Sequence, residues 1–141
     1  MKIAFYKGSW NWIDKAIRFW TFWKYSHCEL ILSDWSMFSS SWMDWGVRVK
    51  RFYNSKNWDI FHTNVYETWI KKSLMVRELW KGYDYYWLFF NFIVDLDLEN
   101  KDKWFCSEIC WYILWIENPS NYSPNWLYKK LIKDNIIKWN Y

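Results

Sequence analysis

The stretch Lys103 to Ile116, KWFCSEICWYILWI, constrains this chain more than any other. Apolar or aromatic residues recur through Ile109, Cys110, Ile113, Leu114 and Ile116, a spacing that predicts a helix buried on at least one face. The polar run DLENKDK leads into it, so Cys106 falls in or just before the first turn. Unpaired backbone N–H groups and the positive end of the helix dipole favour a thiolate there, which makes Cys106 a candidate nucleophile. Cysteine is also among the most often buried residue types. Cys106 and Cys110, one turn apart, therefore also fit as two small core residues.

A nucleophilic thiol needs a base, and the chain has two histidines, His27 and His62. His27 stands in YSHCELIL, which reads as a short buried strand over Tyr25 to Leu32. Residues two apart on a strand share a face, so His27 and Glu29 point one way and Cys28 the other. A histidine beside the start of a cysteine-bearing helix can take the thiol proton, and a third polar group can fix its tautomer. Glu29, a serine of the Ser39 to Ser41 run, and Asp44 are the candidates for that third role. His62 ends the short strand WDIFH and reads as a satisfied core or surface histidine.

The 141 residues fit one domain, 1–141, with a core that needs no staples, and 52% hydrophobic content excludes a disordered chain. A net charge of +4 is carried by dispersed lysines and arginines, so no nucleic-acid stripe is expected. Three cysteines without an apolar leader point to reduced thiols in a cytoplasmic compartment. No metal-ligand spacing appears, and no cofactor is expected. In chain order, Met1 to Lys7 reads as a strand and Trp12 to Trp23 as a helix with Asn11 available as its cap. After the Tyr25 to Leu32 strand and the turn SDWS, Met37 to Ser41 is the return strand, Asp44 to Phe52 a half-exposed strand and Trp58 to His62 a further one. Glu67 to Trp80 and Tyr83 to Val94 read as helices, and the tail holds Pro119 and Pro124 as breakers, with SPNWLYKKLIK as a short helix or extended cover. Tyr83 to Val94 is too short to span a bilayer. It reads as a core helix, and the aromatic face Tyr85 to Phe92 is the one feature that also fits a membrane surface.

The pieces YSHCEL, SSSWMDWGVR, GYDY and WFCSEIC, in that order, resemble the circularly permuted NlpC-type branch of the papain-like thiol hydrolases, in which histidine precedes cysteine. That branch includes permuted amidases and lecithin:retinol acyltransferase-like enzymes. The small form with a DGGVR-like segment is similar to proteins common in phage genomes. The resemblance covers roughly Ile3 to Trp115. It implies an α+β, papain-like fold with a small antiparallel sheet packed on the helix that carries the cysteine. By the same resemblance Cys106 is the nucleophile and His27 the base. The third polar residue falls on the strand after the histidine strand, at Ser40 or its neighbours, and Glu29 or Asp44 can substitute. Glu108, in the CSE motif, reads as a cap or structural partner. The implied activity is hydrolysis or acyl transfer at an amide or ester of a small peptide-like, peptidoglycan-fragment or lipid acyl substrate, in a bacterial or phage setting. The alternative is a catalytically silent papain-like domain that binds a partner, for instance as a phage accessory protein.

Sixteen tryptophans stand against three glycines. Average usage would give about ten glycines in a chain of this length. Tryptophan occupies places where turn chemistry asks for glycine: Trp35 in SDWS, Trp45 in DWGVR, Trp12 beside Asn11 and Trp104 before the cysteine. Either the fold tolerates these tryptophans, or their codons are UGA read as glycine in the source organism.

Overall fold

The structure is a computed structural model that describes residues 1–8, 24–52, 56–83, 103–115 and 123–138. Five strands form its antiparallel centre: β1 (Lys2–Tyr6), β2 (His27–Ile31), β3 (Ser36–Ser41), β4 (Gly46–Arg51) and β5 (Trp58–Thr63), in the order β4-β3-β2-β1-β5. Two-residue strands extend the edges. Beyond β4 lie β6 (Gly82–Tyr83) and, parallel to it, β7 (Lys103–Trp104); beyond β5 lies β8 (Ile137–Lys138). The described helices are α1 (Trp69–Glu78), α2 (Cys106–Trp115) and α3 (Pro124–Lys133), with a 3-10 turn at Trp42–Asp44. The architecture is α+β.

Register decides what each face of the sheet carries. Ile3 pairs with Leu30 and Phe61, Phe5 with Cys28, and Ser40 with Val47, so these side chains share the face on which the helices pack. Ile109, Cys110, Ile113 and Leu114 of α2 and Leu127 and Leu131 of α3 complete that core. The other face is thinner. Ala4, Ile31 and Met37 are covered there by Phe52, Trp58 and Ile60, and His27 and Glu29 lie on the same side by strand alternation.

Polar pins fix the helices to this frame. Buried Lys71 of α1 donates from Nζ to the carbonyls of Ile113 and Leu114 at 2.7 and 2.6 Å, and so caps the C-terminal end of α2. Asn125 of α3 brackets Tyr25, accepting from its N–H at 2.9 Å and donating to its carbonyl at 2.6 Å, which fixes the chain as it enters β2. Thr68 and Ser123 cap α1 and α3.

Several boundaries differ from the sequence reading. Lys103–Trp104 is a strand and α2 starts at Cys106, while Asp44 lies in the 3-10 turn and not in β4. Tyr83 belongs to β6, and the tail segment is helical, with Pro124 opening α3 at its first turn, where no backbone N–H is needed, and not breaking it. The helix expected over Trp12 to Trp23, its cap Asn11, the rest of Tyr83 to Val94 with its aromatic face, and Pro119 lie outside the described residues. No described helix is long and apolar enough to cross a membrane.

Four described non-glycine residues have positive φ, and three are tryptophans: Trp35 at 62°, Trp45 at 62° and Trp80 at 71°, beside Asn135 at 55°. Asparagine tolerates the left-handed region; a bulky side chain does not, at a cost of about 1–2 kcal/mol. Trp45 and Trp80 are 78% and 90% exposed, so little of either side chain is buried to offset the strain, whereas the Trp35 ring is tilted against Phe52 and lies under Lys2. Glycine removes that strain at an entropic cost of roughly 0.5–1 kcal/mol. Trp45→Gly and Trp80→Gly are therefore expected each to raise unfolding stability by about 0.5–1 kcal/mol in urea titrations, and Trp35→Gly by less. Destabilisation by both exposed replacements would contradict this reading of the turns.

Candidate active site

Cys106 is the first residue of α2 and is fully buried. Phe105 precedes it, and its N–H donates to the Glu108 carboxylate at 3.1 Å, so Glu108 caps the helix start and leaves the catalytic question to other groups. On the sheet side, β2 begins at His27, which puts the imidazole at the end of the sheet where α2 begins. His27 and Cys106 lie close enough for each to shift the titration of the other. Cys28 is a further neighbour that acts on the Cys106 thiol.

The partner on the far side of the imidazole is Glu29. His27 Nε2 and Glu29 Oε1 are 3.0 Å apart. The Glu29 side chain is only 5% exposed. A carboxylate buried this deeply costs several kcal/mol unless it is paired. Arg48 of β4 supplies the pair as a fork: Nη2 donates to Oε1 at 2.7 Å and Nη1 to Oε2 at 3.1 Å. Arg48 Nε in turn donates to Asp44 Oδ2 at 2.9 Å, and Lys50 holds the other Asp44 oxygen.

Charge along this row sets the protonation states. Burial pushes the Cys106 thiol up, but its hydrogen bond with Cys28 and the attraction of His27 outweigh that and bring it down to about 5. Burial likewise pushes the His27 imidazole down, and Cys106 and Glu29 overcome it to reach about 10. For Glu29, burial raises the carboxyl, while His27 and Arg48 together hold it at about 2. Cys28 behaves oppositely: burial, followed by its contacts with Cys106 and Cys110, raises it well above the ordinary thiol value. The chemistry of the row is that of a thiolate–imidazolium pair with an anchored carboxylate, and Cys28 is a neutral thiol beside it.

Of the residues singled out in the sequence, Cys106, His27 and Glu29 are brought together. Ser40 and Asp44 are not joined to His27 by a hydrogen bond. Alternation turns Ser40 to the helix-facing side opposite Val47, where its hydroxyl has no hydrogen-bond partner among the described residues. Ser39, not Ser40, shares the Glu29 face, and its hydroxyl donates to the Cys28 carbonyl at 2.8 Å. Asp44 belongs to the outer end of the row, through Arg48. His62 lies on β5, beyond β1, paired with Lys2 and Lys138. Arg48 escaped sequence reasoning. Its signal was an arginine among the valines of GVRV, on the face of β4 opposite Val47.

No family model matches the chain, and no curated protein or solved structure matches it either.

The sign of each shift fixes a pH window. The raised His27 value contributes stability that is full below its ordinary 6.5 and lost as pH rises through about 10. The lowered Cys106 value contributes stability that is full above its ordinary 9.0 and lost as pH falls through about 5. The ion pair therefore persists between about 5 and about 10. Iodoacetamide is expected to label Cys106 with a rate that rises through pH 5, while Cys28 stays inert to well above pH 9. Equal rates at the two cysteines at neutral pH would contradict the assignment.

Proposed function

We propose that this protein is a cysteine-dependent hydrolase or acyltransferase that opens an amide or ester through an acyl-thioenzyme. The observation that carries this reading is the row Cys106, His27, Glu29, with 3.0 Å between the imidazole and the carboxylate. The order of its motifs, histidine strand before cysteine helix, supports membership of the permuted NlpC-type papain-like branch, and the domain then spans residues 1–141.

The steps follow from the groups in the row. The Cys106 thiolate attacks the carbonyl carbon, and the displaced electron pair moves onto the carbonyl oxygen. The N–H of Cys106, in the first turn of α2 where no intrahelical acceptor exists, is suited to hold that oxyanion. His27, as imidazolium, gives its proton to the leaving amine or alcohol when the tetrahedral species collapses to the thioester. It then takes a proton from water, or from an acceptor alcohol or amine, as that nucleophile attacks the thioester and releases Cys106 as thiolate. Glu29 keeps the ring oriented and stabilises its charged form throughout. Small peptide-like amides, peptidoglycan fragments and acyl lipids are the substrate classes in keeping with this chemistry, in a bacterial or phage cytoplasm. Nucleic acid is not a proposed partner.

A second reading has one observation behind it. Cys106 is fully buried, which also suits a papain-like domain that has lost catalysis and binds a partner. The two readings separate in an assay of p-nitrophenyl esters and short peptide amides. Cys106→Ser and His27→Ala are expected each to reduce kcat/KM by at least ~10²-fold, with Cys110→Ser near wild type. Turnover that survives Cys106→Ser would remove the enzyme reading.

A further inference from the structure

We propose that Arg48 is a positioning residue of the thiol centre, acting through Glu29; the inference rests on the hydrolase reading above. Arg48 never touches the reacting atoms. Its fork engages both Glu29 oxygens, so the carboxylate cannot rotate away from His27 without breaking two charge-assisted bonds. The Arg48 side chain is only 13% exposed, and its guanidinium is held from behind by Asp44, which Lys50 also binds. Residues on three separate supports are thus locked in one line: Glu29 on β2, Arg48 on β4 and Asp44 on the 3-10 turn.

The strand between them makes this reach possible. Glu29 and Arg48 lie two strands apart, a separation of about 10 Å between backbones. Ser39 of β3 pairs with Arg48 and shares its face. A serine there leaves room for the arginine to extend across the strand, where a large side chain would block it. The serine run in SSSWMDWGVR therefore has a steric role in the site in place of a catalytic hydroxyl. Lysine at position 48 could supply charge but not the planar fork.

The test is the pH profile of Cys106 alkylation, a readout that needs no substrate, followed by ester turnover. The charged or titratable groups around the row are His27, Cys28 and Glu29 on β2, Arg48 and Lys50 on β4, Asp44 on the turn, and Cys106 and Cys110 on α2. In Arg48→Met the labelling midpoint is expected to move up toward the free-thiol value of about 8.5. The value of kcat should fall at least ~10-fold with KM little changed, and Arg48→Lys should recover part of both effects. Glu29→Gln combined with Arg48→Met should be no worse than Glu29→Gln alone, since both act through one carboxylate. Should Arg48→Met fail to fold, Arg48→Lys and the Ser39→Leu blockade, read by the same profile, carry the comparison. An unshifted midpoint in folded Arg48 variants, or additive losses in the double variant, overturns the positioning role and leaves the hydrolase reading standing. A wild-type Cys106 no more reactive than Cys110 overturns both.

A different observation supports a second inference: Trp35, Trp45 and Trp80 occupy glycine positions, and we infer that their codons are UGA read as glycine in the organism of origin. The three sites are unlike one another. Trp35 closes the β2–β3 turn, with its N–H donating to the Leu32 carbonyl at 3.1 Å. Trp45 ends the 3-10 turn in the left-handed conformation. Trp80 follows the C-cap Leu79 of α1, where glycine is the usual terminator. Three turn types that share a positive φ and a tryptophan, in a chain of sixteen tryptophans and three glycines, have one economical cause. Codon sequencing together with mass spectrometry of the protein from its native source decides it. UGA codons with glycine-mass residues at 35, 45 and 80 are expected. UGG codons, or UGA codons with tryptophan-mass residues, overturn it.

Discussion

Helix α2 lays Ile109, Cys110, Ile113 and Leu114 against Cys28, Leu30 and Phe38 of the sheet, and that apolar contact determines where the Cys106 thiol comes to rest. Because Cys106 is the first residue of the helix, its position follows from the packing of the turns behind it. Lys71 holds the other end by capping the last carbonyls, and Asn125 holds the strand that carries His27. The geometry of the Cys106–His27–Glu29 row thus depends on rigid elements and buried pins.

Once the thiol is placed, the charges follow from burial. A fully buried thiolate would be untenable alone, as would a buried imidazolium or a buried carboxylate. Set in a row they neutralise one another: Cys106 with His27, His27 with Glu29, Glu29 with Arg48, Arg48 with Asp44. Each member's partner stabilises its charged form. The row continues outward to Lys50, where solvent takes over.

Much of this was legible in the sequence. The helix period placed α2, and strand alternation put His27 and Glu29 on one face with Cys28 on the other, as the paired register has them. The Glu29 contact with His27 was one of three open choices, because sequence carries no measure of which polar group lies within 3 Å of an imidazole. Arg48 was passed over for a related reason: in a strand that reads as half exposed, an inward arginine looks like its outward neighbours Lys50 and Arg51. What marks it is a carboxylate buried two strands away, a purely tertiary fact. The edge strands β6, β7 and β8 are two residues each, too short for any period. The glycine deficit was legible from composition, and φ at Trp35, Trp45 and Trp80 gives it a location in the backbone.

Nitrogen NMR of the His27 ring across pH, in wild type and Cys106→Ala, reads directly whether Cys106 and His27 stand as thiolate and imidazolium. An imidazolium that persists toward pH 10 in the wild type and titrates at a clearly lower pH once the thiolate is removed is the expected result. A His27 ring that titrates near 6.5 in both proteins would contradict it.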